Sequence, residues 1–339
     1  MQVGLIIVAY NDAPSLERCI TSVRATGFNG TTVIVDNAST DSTGDVAERL
    51  ASSTPGVVFV RSKRNLGYAG GFNVGAEALS EPIIAVMGAD CVLEGDWMSV
   101  CAEAIASEPS VAASSPTVAL ADGSGLNAEG LSLHKAGFGF NRNLGKPIST
   151  AATVSAKVDG IQGSAFVIKR SVLEAIGGWS EAGFLYHEDV ELSWAVAAAG
   201  FDVWHVPTPF LVHDYQLTMS PEKFFLLERN RIDMLGAYLS IWMRLALSPV
   251  ILATEVAVWA YAVTKRSGLP QAKWRSYRSA WSRRDSTKTR RQQIKRFRVT
   301  SESDLVGRMP LAYPKSQTRT LRTEQPSQGR RGGREMPTE

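Results

Sequence analysis

The chain opens on an unbroken apolar run, Val3 to Ala9, that stops abruptly at Tyr10-Asn11-Asp12. Behind it, Leu16, Cys19, Ile20 and Val23 recur at i, i+3, i+4 and i+7, which marks one face of a helix. The same alternation then repeats. Apolar residues 32–35 end at Asp36-Asn37, and 42–50 read as helix. Residues 57–60 form a third strand, 70–79 a third helix, and 82–87 a fourth strand that ends at Gly88-Ala89-Asp90. Strands that are apolar throughout and alternate with helices predict an α/β fold: a Rossmann-like, mostly parallel sheet with helices on both faces. Ligands of such sheets lie beyond the carboxyl ends of the strands. Those ends carry Tyr10, Asp36 and Asp90.

Further on, the pattern loosens. Residues 117–157 are rich in Gly, Ser, Asn and Ala, with short strand-like pieces. Residues 165–168 read as a strand, 188–199 as a helix opening on two acids, and 203–207 as a short strand. From 234 to 263 the chain is strongly apolar, interrupted by Arg244, Pro249 and Glu255. Arg244 and Glu255 are eleven residues apart, about three helical turns, so they are predicted to share a polar stripe close to Ser240 and Ser248. Such a segment packs into a core, lies in a membrane interface or spans a bilayer. The charges count against spanning, and the stripe favours the interface. Trp274, Tyr277 and Trp281, set among Lys and Arg, suit a headgroup layer. The expected organisation is an α/β domain over 1–230, a membrane-associated helical segment over 231–282 and a basic, largely disordered tail over 283–339.

Charge sharpens that division. The net charge is only +3, yet from Thr264 onward there are 20 Lys and Arg against 6 Asp and Glu, and before it 16 against 27. An acidic body carrying a basic arm suggests an anionic partner: membrane lipid, nucleic acid or another acidic surface. The acidic body and the lack of a nucleic-acid fold motif argue against nucleic acid. With 44% apolar and 20% charged residues, wholesale disorder is excluded. Cys19, Cys91 and Cys101 show no paired or metal-ligand spacing, which fits a reducing compartment. The first residues lack a basic segment and a small-residue cleavage site, so a cytoplasmic location is expected.

Several clusters carry possible chemistry. Asp36-Asn37-Ala38-Ser39-Thr40-Asp41 follows a strand; Ser39 and Asp41 suit helix capping, whereas Asp36 suits a hydrogen bond to a base or ribose. Asn65 to Gly75 is a Gly-rich turn entering a helix, either a phosphate cradle or a plain turn. The dinucleotide and P-loop fingerprints are both missing. Asp90 is either a turn residue or a ligand for a hard divalent cation on a diphosphate. Glu188, Asp189 and Glu191 crowd a helix start, where the dipole tolerates anions; they are caps or include a general base. Trp179 and Phe184 are candidates to wall a sugar, and His213 is a structural histidine or a metal ligand.

In their order along the chain these motifs resemble glycosyltransferase family 2, the inverting GT-A group. The resemblance rests on Val8-Ala9-Tyr10-Asn11, Asp36 to Asp41, Asn65 through Asn73, Gly88-Ala89-Asp90, Gly163-Ser164-Ala165, Gly177-Gly178-Trp179, Glu188 to Leu192, His213 and Arg229-Asn230. It implies transfer of a sugar from a nucleoside-diphosphate-sugar to a hydroxyl of a glycan or lipid-linked glycan, with Mg2+ or Mn2+. The donor-binding residues it implies are Ala9, Tyr10, Asp36, Asn65, Gly70, Asn73, Ala89 and Asp90. It implies Gly163, Ser164, Trp179 and Glu188 for the sugar and acceptor, Asp189 as general base, and Asp90 with His213 as metal ligands. The chain departs from the family at Gly88, which replaces the first acid of the D-x-D motif, and at Ala195, where many relatives carry Arg. The Gly88 change resembles a rhamnosyltransferase-like bacterial branch using a deoxysugar such as dTDP-rhamnose, or a UDP-sugar, in cell-wall or surface polysaccharide synthesis. The expected location is then the inner face of the cell membrane. A sugar nucleotidyltransferase and a non-catalytic nucleotide-sugar-binding relative are the competing readings. The first expects a basic Gly-rich loop where Tyr10-Asn11-Asp12 stands.

Overall fold

The structure, a computed structural model, describes residues 2–214, 218–265, 267–311 and 313. Strand β1 (Val3–Ala9) leads to helix α1 (Ala13–Ala25), β2 (Thr32–Asp36) to α2 (Thr43–Ser53), and β3 (Val57–Arg61) to α3 (Gly67–Glu77). Strands β4 (Ile83–Gly88) and β5 (Cys91–Leu93) precede α4 (Trp97–Ala106), β6 (Val111–Ser115) and β7 (Val118–Leu120). The looser middle holds β8 (Leu126–Ala128), β9 (Leu131–Leu133), β10 (Gly139–Asn141), β11 (Ala156–Val158) and β12 (Ala165–Lys169). Helices α5 (Arg170–Ala175) and α6 (Glu188–Ala198) come next, then β13 (Asp202–His205) and β14 (Leu211–His213). The described remainder is helical: α7 (Pro221–Tyr238), α8 (Ile241–Ala246), α9 (Ser248–Lys265), α10 (Leu269–Ser282), α11 (Arg284–Phe297) and α12 (Glu302–Gly307).

The main sheet runs β11-β13-β6-β12-β4-β1-β2-β3. Strands β4, β1, β2 and β3 are mutually parallel, as the apolar runs predict. Strand β12 is inserted antiparallel between β4 and β6, which makes the sheet mixed. Successive side chains of β1 point to opposite faces. Ile6 and Val8 join Phe72, Phe166 and Trp194 in one core, while Leu5 and Ile7 join Leu16, Met98 and Ile105 in the other. Every residue of β1, β2 and β4 is buried, because helices cover both faces.

The C-terminal region departs from expectation in three ways. Residues 234–263 are not one amphipathic helix: the chain breaks around Leu247, so Arg244 and Glu255 lie on different helices and share no stripe. Glu255 instead faces inward, paired with Arg231 and with Lys273 (2.8 Å), and accepts a hydrogen bond from the Tyr277 hydroxyl. Glu228 completes the cluster, 2.6 Å from Arg231 and in contact with Lys273.

Next, the start of the tail expected to be disordered forms α11 and α12; residues 314–339 lie outside the described residues. Finally, several arginines of this arm bind the acidic body. Arg275 pairs with Glu222 at 2.8 Å, Arg283 with Asp233 at 3.0 Å and Arg290 with Glu191, while Arg291 donates to the carbonyls of Gly236 and Leu239. Among the described residues, the acidic surface that the basic arm meets is the protein's own. No helix among them is long and apolar enough to cross a membrane.

Candidate active site

Strand register builds the first half of the site. Strands β5 and β14 pair antiparallel with His213 opposite Cys91, which sets the neighbouring Asp90 beside the imidazole. His213 Nε2 lies 3.6 Å from Asp90 Oδ1. Strand β14 also runs parallel to β7, and β7 pairs with β8, so Asn127 reaches His213 from the other side. Asn127 Oδ1 is 3.0 Å from His213 Nδ1. A carboxamide oxygen can only accept, so Nδ1 faces Asn127 while Nε2 faces the Asp90 carboxylate. The Cys91 sulfur completes a cluster whose potential ligand atoms lie within 4.8 Å of one another. Burial pushes the Cys91 thiol well up, so it stays protonated, and the oxygen and nitrogen atoms left suit a hard or borderline divalent cation. Gly88 has a local reason as well. A Cβ there would fall 2.6 Å from Asp90 Oδ1, so a larger residue would displace the carboxylate.

The second half sits at the start of α6. Strand β12 lies antiparallel to β4, and the Gly88 N–H donates to the Ser164 carbonyl at 2.9 Å. Just before that strand, the Gly163 N–H donates to Asp189 Oδ2 at 3.2 Å, and the Val190 N–H donates to Oδ1 at 2.8 Å. Asp189 is thus held beside the start of β12. Burial raises both Glu188 and Asp189 above the usual carboxylate range, and for Glu188 the Asp189 charge adds to it.

The loop entering α6 is strained. Phe184, Tyr186 and His187 have φ of 62°, 63° and 73°, a region that non-glycine residues rarely occupy. Asn230 of α7 holds it: its amide nitrogen is 2.9 Å from the Gly183 and Leu185 carbonyls and 2.7 Å from that of Tyr186. Arg229 adds a bond to Gly183 at 2.9 Å. Gly67 permits the approach from the opposite side, since a Cβ there would overlap the Phe184 backbone.

Several residues expected to touch ligand are placed otherwise. Trp179 is only 1% exposed, its ring packed edge-on against Tyr68, Phe72 and Phe166, so it cannot wall a sugar. Its indole N–H instead donates to the Glu188 carbonyl at 2.8 Å and steadies the start of α6. Asp36 is completely buried, accepting from the Ser39 N–H at 2.9 Å and pairing with Arg61 at 3.2 Å, so it orders the loop rather than opening to a nucleoside. Asn65 accepts from the Gly67 N–H (2.8 Å) and from Asn37. Asn73 bonds the Trp179 backbone through both its amide nitrogen and its oxygen. Gly70 is buried against Leu66 inside α3, and Gly71 and Gly75 let that helix close on Val8 and Ile6, so these glycines serve packing rather than a phosphate cradle. Ala9 and Ala89 are buried at their strand ends, whereas Tyr10 is partly exposed. The sequence reading missed Asn127, which reaches His213 only through strand pairing and has no local signal.

A mostly parallel sheet with an antiparallel insert, and a helix start facing the strand ends, define the nucleotide-diphospho-sugar transferase architecture, GT-A. Solved structures share it. "GalNAc-T7 with UDP, GalNAc and Mn2+" superimposes with a TM-score of 0.62 at 14% identity, covering 92% of this chain and 58% of that one. "Mannosyltransferase PcManGT from Pyrobaculum calidifontis in complex with GDP-Man and Mn2+" gives 0.53 at 18% identity, covering 87% and 84%.

The chain belongs to glycosyl transferase family 2, whose family description matches residues 5–177. It is 26% identical over 214 residues to the succinoglycan biosynthesis protein ExoA of Rhizobium meliloti (strain 1021), 62% of each chain. It is 38% identical over 93 residues to an uncharacterized glycosyltransferase, alr2836, of Nostoc sp., 27% of this chain and 29% of that one. The matches thus span less than two thirds of these relatives' lengths.

Proposed function

We propose that the protein transfers a sugar from a nucleoside-diphosphate-sugar to a hydroxyl of a glycan or lipid-linked glycan, inverting the anomeric centre in one displacement. The observation that carries this reading is the pairing of Asp90 with His213 at the strand ends, together with Asp189 held beside the start of β12. Tyr10, at the end of β1, would contact the nucleoside. Asp90 and His213 would hold Mg2+ or Mn2+, which when bound offsets the charge on a leaving diphosphate. Asp189 would accept the proton of the acceptor hydroxyl as its oxygen attacks the anomeric carbon. A carboxylate raised toward neutral pH is better matched to that task than an ordinary one. The Gly88 substitution supports a deoxysugar such as rhamnose as the transferred unit, within surface-polysaccharide or cell-wall synthesis.

The same reading places the protein on the cytoplasmic face of a membrane. Trp242, Trp274 and Trp281 are 77%, 61% and 73% exposed, and Leu252 and Val256 continue an open apolar face along α9. Basic Lys265, Arg278 and Arg284 are exposed on the same helices or next to them. Apolar insertion and headgroup attraction then add, the latter about 1 kcal/mol per basic residue near the surface.

Donor binding tests the core of the proposal. Titrating Mn2+ with UDP-, GDP- and dTDP-sugars should raise the melting temperature of the wild type. Asp90→Ala and His213→Ala should each weaken that metal dependence. If both variants titrate like wild type, the metal assignment is wrong. Binding to anionic vesicles should fall as salt rises, and Trp274→Ser with Trp281→Ser should weaken it further.

A further inference from the structure

The end of α10 faces two ways. Trp274 and Trp281 are seven residues apart, so they fall on nearly the same side of the helix, and both are exposed. Arg284 lies on that side too, its Cζ 5.3 Å from the Trp281 ring centroid. Arg283, two residues beyond Trp281, is turned by about 200° to the opposite side. It is the joint between α10 and α11, and of residues 281–286 it alone is not fully exposed.

Inward, Arg283 spans two elements. Its Nε lies 3.0 Å from Asp233 Oδ2 of α7, and its Nη2 donates to the Ala182 carbonyl. Ala182 begins the strained loop that leads to Glu188 and Asp189. The next carbonyl, Gly183, accepts from Arg229 and Asn230, and Asn230 also holds Leu185 and Tyr186. Those grips come from α7, whereas the one on Ala182 comes from α10. The loop's own backbone bonds are short turns, Phe184 N–H to the Glu181 carbonyl and Leu185 N–H to that of Gly183. A segment in a costly conformation, closed by such turns, keeps its shape through the side chains that hold it. The middle of α10 is fixed separately, by buried Lys273 between Glu228 and Glu255. Arg283 therefore links the last turn of α10, with its outward Trp281, to the loop. A group already ordered at one end of such a link costs less to order at the other.

We propose that Arg283 is a positioning residue that ties the loop of residues 182–187 to the tryptophan face of α10, so that docking of this face on an anionic lipid surface steadies the loop beside Glu188 and Asp189. This inference rests on the membrane part of the reading above and goes beyond it. The surface that would concentrate a lipid-linked acceptor also shapes the loop that receives it.

The test is hydrogen–deuterium exchange of the full chain, with and without vesicles of equal parts phosphatidylcholine and phosphatidylglycerol, with co-sedimentation to measure binding. In the wild type, vesicles should slow exchange across residues 182–187 by about threefold to tenfold, as expected when one charge-assisted hydrogen bond is made firmer. Arg283→Gln should co-sediment like wild type, exchange faster in the loop and show no vesicle effect there. Arg283→Lys keeps a cation beside Asp233, which guards against a Gln variant that fails to fold. It lacks the planar fork that reaches both Asp233 and the carbonyl, so it too should lose the vesicle effect. Wild-type protein that binds vesicles with its loop unchanged would overturn the proposal. A vesicle effect of wild-type size in either folded variant would overturn it as well, and would make Arg283 a plain structural tie. Wild-type protein that does not bind vesicles would overturn the membrane reading itself, so the two failures are distinguishable.

Discussion

Two groups of buried carboxylates, some forty residues apart in sequence, have opposite electrostatic characters. Glu188 and Asp189 lie side by side and are raised above the ordinary range. Glu228 lies between Arg231 and Lys273 and is held down to about 2. Desolvation acts on both. What differs is the neighbourhood: a second acid beside Glu188, and the cations Arg231 and Lys273, from α7 and α10, beside Glu228. The first pair holds its protons more tightly than ordinary carboxylates, whereas Glu228 is held in its charged form within a cluster that joins α7, α9 and α10. Burial of an acid therefore says little about its role until its partners are named.

The sharpest way to break this contrast is Asp189→Asn. Turnover should fall about 10²–10⁴-fold, with nucleotide-sugar affinity nearly unchanged and the melting temperature equal or higher. Steady-state kinetics beside calorimetry would check it, and near-wild-type turnover would pass the role to Glu188 or Glu191. The mirror experiment is Glu228→Gln. Leaving Arg231 and Lys273 with one carboxylate should lower unfolding free energy by about 3–5 kcal/mol in chemical denaturation.

Acid titration separates the two groups by sign. Glu228, depressed in the fold, gives stability that is present above the ordinary Glu value near 4.5 and lost as pH falls from there toward 2. Glu188 and Asp189, raised in the fold, favour it below the ordinary carboxylate range, and that contribution is lost as pH rises through their folded values. Melting temperature against pH should lose part of its acid slope in Glu228→Gln and part of its slope toward neutral pH in Asp189→Asn. The smallest effect is expected for Asn230→Ala, which unties three carbonyls of the strained loop. It should cost about 1–3 kcal/mol and raise the acceptor KM more than it lowers donor affinity. Equal changes in both would make the loop a general support.

Legibility followed the range of the interactions. The β1 to β4 half of the sheet could be read because each strand is a local apolar run and each helix a local period. Asp90 was legible as a polar residue at the end of such a run, Asp189 as an acid at a helix start and His213 as the residue after a short strand, although their grouping came from a resemblance rather than from spacing. Helix α4 was overlooked despite a signal: Trp97, Met98, Cys101, Ala102 and Ile105 fall at helical spacing behind Asp96, which caps Ser99 at 3.1 Å. The buried ring of Trp179 and the clamp of Asn230 were not legible, because long-range packing decides both. The charge asymmetry was plain in the composition, but composition alone does not reveal that the arm folds back onto its own body.

The pairing of β14 with β5 has a consequence for how this protein tolerates changes of length. Side chains alternate across a strand, so one residue inserted or deleted in β14 turns His213 to the opposite face of its small sheet. Every atom the chemistry needs would still be encoded, and the imidazole would point away from Asp90. The spacing of residues 208–213 is therefore as much a part of the site as the identity of the histidine. Anyone grafting, shuffling or trimming loops in this fold would have to treat that stretch as a ruler rather than a tether.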